Sequence, residues 1–215
     1  MTTLLALLMM GGATLAYIYS KNAAPAPEPA ESPGDDWIGE AASTPTENAP
    51  SLNILYKTLS DLPDVDPANQ GGDYDNQYDE YFVSAKNRTG VPFALLKAHA
   101  IRESSLQPNV YHADTALKGS YGLMQIEWWP QSNRFNKYGY SDDEIGDGSL
   151  LYEPTINCFI GASIIRDNMA WLKNLRDAIN AYNTGTTEAK HPAPVHYVDD
   201  VVKYYNEILG TKLIS

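Results

Sequence analysis

Gly90-Val-Pro-Phe-Ala-Leu-Leu-Lys-Ala-His-Ala-Ile-Arg-Glu-Ser-Ser105 is the stretch that decides how the rest of the chain is read. Pro92 suits the first position of a helix, where its fixed φ and missing N–H cost nothing. From Phe93 onward apolar residues recur with helical spacing. At about 100° per residue, Phe93, Leu96, Ala100 and Glu103 share roughly one quarter of the circumference. A carboxylate thus stands on the core-facing stripe near the end of a helix. Glu103 is then either a buried ion-pair partner (or lies just past the helix end), or an acid whose proton affinity burial has raised.

Other helical patterns flank this one. Tyr78, Tyr81, Phe82 and Ala85 predict a helix closed at Asn87-Arg-Thr-Gly90. Glu153-Pro154 opens another, with Ile156, Ile160, Ser163, Ile164 and Trp171 on one side. A short apolar helix over 175–182 follows, and a last one over 197–209 carries Val198, Val201, Val202, Tyr205 and Leu209. The stretch 104–152 is rich in Gly, Asn, Asp, Ser and Tyr and reads as loops and short turns. No alternating strand pattern competes, so the fold class expected for 74–215 is mainly α.

Composition bounds the function. The 215 residues carry a formal net charge of −12. Residues 1–75 hold eleven Asp/Glu against two Lys/Arg, and residues 76–215 sixteen against thirteen. The acidity therefore belongs mainly to the N-terminal third, and no basic stripe exists to follow a phosphate backbone, which argues against nucleic acid as a partner. Cys158 is the single cysteine, inside an apolar helical pattern, and reads as a buried structural thiol. His99, His112, His191 and His196 have no zinc-ligand spacing, so neither a metal nor another cofactor is expected.

The N-terminus reads as an appendage. Thr3 to Tyr19 is apolar and uncharged until Lys21, short for a bilayer span but flanked by Tyr17 and Tyr19 at interfacial positions. With no Lys or Arg before the apolar run it resembles an anchor over 1–21 more than a cleaved leader. Residues 22–73 hold most of the prolines among Glu, Asp, Ser and Ala and read as an acidic spacer, with one amphipathic helix over 52–62.

Read in order, Glu103-Ser104, Gly122-Leu-Met-Gln-Ile126, Asn157 with Gly161, and Ala181-Tyr-Asn-Thr-Gly185 resemble the lytic transglycosylase (SLT) domain of the lysozyme superfamily. The resemblance covers about residues 75–210. It implies a peptidoglycan glycosidase with Glu103 as sole acid/base, cleaving the N-acetylmuramic acid–N-acetylglucosamine bond with closure of a 1,6-anhydro ring. It also implies that Gly122–Ile126 lines the sugar cleft, with Met124 as apolar floor and Gln125 facing an N-acetyl or hydroxyl group, and that Tyr182 reaches the catalytic carboxylate. Ser104 would orient Glu103 or cap its helix. Trp128 and Trp129 would stack on sugar faces or fill the core. Asn157 reads as structural.

Three departures stand out: an interval from Glu103 to Gly122 about four residues longer than usual, Ala116 at a position often Ser, and the aromatic run Trp128-Trp129-Pro130. Hydrolysis by water is the rival outcome; it needs a second carboxylate, for which Asp114 and Glu127 are nearest in sequence. The rival class is a non-catalytic wall-binding component. The expected partners are glycan strands, a membrane through the N-terminal helix, and virion or envelope assembly proteins. The expected location is a virion membrane or a bacterial inner membrane, with the domain facing the wall.

Overall fold

The computed structural model describes residues 58–115 and 118–210. The apolar run 3–19, the acidic spacer up to residue 57 and most of the helix expected over 52–62 lie outside these residues. Among the described residues no helix is long and apolar enough to cross a membrane.

Among the described residues, six α-helices and a small sheet build the domain: α1 (Asp79–Thr89), α2 (Phe93–Ser104), β1 (Tyr111–Thr115), β2 (Lys118–Tyr121), β3 (Ile126–Trp128), α3 (Asp142–Ile145), α4 (Pro154–Leu172), α5 (Leu175–Thr184) and α6 (Tyr197–Leu209). Helix α2 is almost wholly buried from Phe93 to Ala100. It packs on α6 and α1, while α4 packs on α1 and α5. The mainly α reading holds, with α2 as the central element.

The sheet departs from the loops expected over 104–152. β1, β2 and β3 form an antiparallel meander, with Tyr111 opposite Tyr121 and Tyr121 opposite Ile126. The strands are three to five residues long, and β1 is exposed along its whole length, so apolar alternation is missing. Ladder hydrogen bonds hold it instead, with an aromatic row on one face: Tyr111 and Tyr121 centroids lie 4.9 Å apart, Tyr121 and Tyr152 5.5 Å.

Helix α4 buries Ile160 and Ser163 of its expected face, with Ile156 and Ile164 half-buried beside them. The buried surface extends to Cys158, Ala162, Ile165 and Met169, and only Trp171, 61% exposed, departs from the expectation. Small residues let neighbours approach: a Cβ at Gly161 would lie 2.5 Å from the Met124 sulfur. The core therefore closes tightly at Gly161 and Ala162, and the bulkier Ile156 and Ile164 pack at its margin.

Residues 58–73, read from composition as spacer, are folded against the domain. Leu62 is buried, and Asp64 accepts from the backbone N–H of Phe93 and Ala94 at 3.1 and 3.0 Å, capping α2. The Tyr205 hydroxyl donates to the Pro63 carbonyl, and Gly71 N–H donates to Ile208 O at 2.7 Å. The fully buried Lys97 ammonium on α2 is caged by Gln70, Asn76 and Asp79 at 2.7, 2.9 and 2.7 Å. The polar composition that suggests a solvated linker thus serves as caps and a cage.

Candidate active site

A cleft of about 530 Å³ opens between the end of α2, the sheet, the end of α5 and the start of α6. Glu103, in the last turn of α2, is half-buried: its carboxyl shows to the cleft and is otherwise enclosed. Burial disfavours the charged form and pushes its pKa from 4.5 up to about 7. A hydrogen bond from Tyr197 and the neighbouring Arg102 guanidinium pull in the opposite direction without overcoming burial. A carboxyl poised there is half-protonated near neutral pH, as a general acid requires.

The tyrosine that touches this carboxyl is Tyr197, not Tyr182. The Tyr197 hydroxyl, at the start of α6, donates to Oε1 of Glu103. Tyr182 lines the cleft, but its hydroxyl donates to the Met124 carbonyl at 2.7 Å and its ring lies 4.8 Å from that of His99. Nothing in the spacing around Tyr197 marks it, because the contact spans 94 residues. Arg102 backs the pair, its guanidinium 5.2 Å from the Tyr197 ring centroid and its Nε 3.1 Å from Asp200.

Ser104 neither orients Glu103 nor caps the helix. Its buried hydroxyl lies 2.7 Å from Leu123 O and 3.1 Å from Ala100 O, tying α2 to the Gly122–Ile126 turn. Ser105, at φ 53°, ends the helix in the left-handed conformation. Met124 is fully buried beneath the cleft rather than at its surface, because its backbone N–H is anchored by Asn157 Oδ1 at 2.7 Å. Asn157 also donates to Tyr121 O and Leu151 O, both at 2.7 Å. Gly122, at φ 76°, sits against that amide: a Cβ there would lie 2.5 Å from Asn157 Nδ2.

Gln125 does reach the cleft. Its amide nitrogen donates to Val110 O at 3.1 Å and Gly122 O at 2.8 Å, and its oxygen faces His112 Nδ1 at 2.6 Å. Trp128 does not: it is 2% exposed, with its indole N–H 3.3 Å from Asp142, so it cannot stack on a sugar. Trp129 is half-buried between Lys118 and Arg134, whose charges lie 5.6 and 5.7 Å from its ring.

Of the second carboxylates, Glu127 on β3 lines the cleft, bound by Lys118 and Arg134 at 2.8 Å each. Asp114 on exposed β1 pairs with Lys118 at 2.9 Å. Burial pushes the Cys158 thiol up, leaving it without nucleophilic character. Among the described residues no group of three or more His, Cys, Asp or Glu is placed to hold a metal ion.

Residues 80–194 match the family model of the transglycosylase SLT domain. Over 124 residues the chain is 28% identical to the protein IpgF of Shigella flexneri, covering 58% of this chain and 78% of that one. It is 28% identical over 129 residues to the invasion protein IagB of Salmonella typhimurium, covering 60% and 77%. In three dimensions it is similar to an inactive mutant of the lytic transglycosylase Slt from Pseudomonas aeruginosa. That likeness has a TM-score of 0.52 and 18% identity, and covers 66% of this chain but only 25% of the other. The structural likeness speaks for the fold alone. The family match takes in Glu103, the 122–126 turn, Asn157 and Tyr182, and stops three residues short of Tyr197.

Proposed function

The chain belongs to the transglycosylase SLT domain family and is a peptidoglycan lytic transglycosylase; from that premise we propose that Glu103 is its single acid and base, held by Tyr197. The observation that carries the assignment is one half-buried carboxyl, with its pKa raised to about 7, facing a cleft large enough for sugar rings. Neutral Glu103 donates its proton to the oxygen of the N-acetylmuramic acid–N-acetylglucosamine linkage as an oxocarbenium-like centre develops. The carboxylate left behind takes the proton of the sugar's own C6 hydroxyl, whose oxygen closes the 1,6-anhydro ring. No second carboxylate takes part.

Glu127 favours this route over hydrolysis, although it lines the same cleft. Each of its oxygens is engaged by a cation, which occupies about half of its lone-pair sites and restrains the carboxylate from turning to activate water. The soluble products from purified sacculi decide between them by mass: anhydro ends support the intramolecular route, and reducing ends, heavier by one water, overturn it. A Glu103→Gln protein that clears sacculi at the wild-type rate removes Glu103 from the mechanism.

The apolar run 3–19 and the acidic segment behind it support a tethered enzyme that opens the wall locally, its domain facing the peptidoglycan. Such a tether suits a bacterial envelope enzyme or a virion component acting at entry. Presence of the protein in purified virions marks the second setting, and recovery with the bacterial inner membrane marks the first.

A further inference from the structure

The cleft holds a histidine that the reaction above does not use. His112 projects from β1 on the sheet face that carries Ser120 and Glu127, its partners in the same cross-strand row. Its Nδ1 lies 2.6 Å from Oε1 of Gln125, and the far end of that amide decides which group donates. Gln125 Nε2 donates to two carbonyls, Val110 O and Gly122 O, so Oε1 must face the imidazole. An amide oxygen only accepts, so a proton sits on His112 Nδ1, and the tautomer this selects carries its lone pair on Nε2. Gln125 is fixed at φ 46° within the turn, which builds this tautomer into the loop.

We propose that His112 is a substrate-binding residue of the cleavage subsite: its Nε2 lone pair accepts a hydrogen bond from a hydroxyl of the sugar whose linkage Glu103 protonates. The assignment rests on the reading of Glu103 as the acid. The cationic groups of the cleft provide no acceptor of their own, and near them a hydroxyl proton has Nε2 of His112 to turn to. Arg102, Lys118 and Arg134 line the same cleft and offer only N–H donors, and both oxygens of Glu127 are engaged by two of them. A sugar bound there brings several hydroxyl protons, and a hydroxyl left without an acceptor binds weakly.

Two measurements test this. In the intact Glu103→Gln chain, nitrogen NMR of the ring shows His112 protonated on Nδ1, and tetra-N-acetylchitotetraose shifts the Nε2 resonance. A ring protonated on Nε2, or an Nε2 signal unmoved by the saturating oligosaccharide, overturns the proposal whether or not Glu103 is the acid. In the active chain, His112→Asn keeps a donor to Gln125 but lacks Nε2, and lowers kcat/KM about tenfold for one lost hydrogen bond. His112→Gln extends an acceptor to the Nε2 position and recovers most of that loss. Equal losses in the two variants, or no loss in either, overturn it.

Discussion

The hydroxyl of Tyr197 donates to the carboxyl of Glu103, joining the first turn of α6 to the last turn of α2. The bond favours the ionised carboxylate and so works against the burial that raises the pKa to about 7. It also fixes where the acid points.

Tyr197→Phe should therefore act on pH dependence as well as rate. Without the donor, the pKa of Glu103 rises further. A general acid works protonated, so the alkaline limb of kcat/KM follows the free enzyme's acid and moves to higher pH. Loss of orientation lowers the maximal rate about tenfold, the worth of one hydrogen bond. A pH–rate profile of sacculus clearance checks both, and an unmoved limb sets the bond aside as incidental.

The same carboxyl leaves a mark on stability. Folded, Glu103 holds its proton up to about pH 7; its ordinary value is 4.5. Folding therefore takes up a proton between those values. The contribution of Glu103 is complete below about pH 4.5 and is lost as pH rises through about 7. Glu103→Gln does not titrate, so its advantage over wild type should grow across that window to at most about 3 kcal/mol. Thermal unfolding at pH 4 and pH 8 reads the difference; equal Tm gaps at both would contradict the raised pKa.

Helices α1, α5 and α6 are legible because each buries one face, and α2, buried all round from Phe93 to Ala100, because its largest apolar residues still keep the 3.6-residue spacing. The place of Glu103 on the α2 stripe follows from the same spacing. The sheet is not legible: β1 is exposed on both faces, and its ladder depends on partners rather than on apolar alternation. The exchange of Tyr182 for Tyr197 has a similar cause. Both tyrosines border the cleft, and which one meets Glu103 depends on how α6 closes on α2, a contact 94 residues long. Trp128 and Met124 carry the residue types of a sugar site, yet Asp142 and Asn157 draw them into the core.

Residues 58–79 should prove essential to folding although they lie outside the span matched by the family model. They supply Asp64, which caps α2, and Gln70, Asn76 and Asp79, which cage the Lys97 ammonium. Asp79→Ala leaves that buried charge without its counter-ion and should cost about 3–5 kcal/mol. Lys97→Met removes the charge itself and should cost less. A chain beginning at residue 80 should fail to fold where one beginning at residue 58 succeeds. Chemical denaturation of the two point variants gives the order, and the reverse order would mean that the cage does not govern stability.

Glu127 supplies the sharpest separation between a one-carboxylate and a two-carboxylate enzyme. It lines the cleft with Glu103, so position alone would let it serve as the base that activates water. Its two ion pairs, to Lys118 and Arg134, make it a structural anion that holds the strand edge and the 129–134 loop together. Glu127→Gln keeps the size and much of the hydrogen bonding while removing the charge. If Glu103 works alone, this variant should retain activity within about tenfold of wild type, since exposed pairs are worth roughly 1 kcal/mol or less each. Its products should still carry the anhydro ring. If Glu127 is the base, activity should fall by 10²-fold or more, in the range of a lost general base. Product mass and rate measured on the same digest distinguish the two: a rate collapse on Glu127→Gln would make this cleft a hydrolase site.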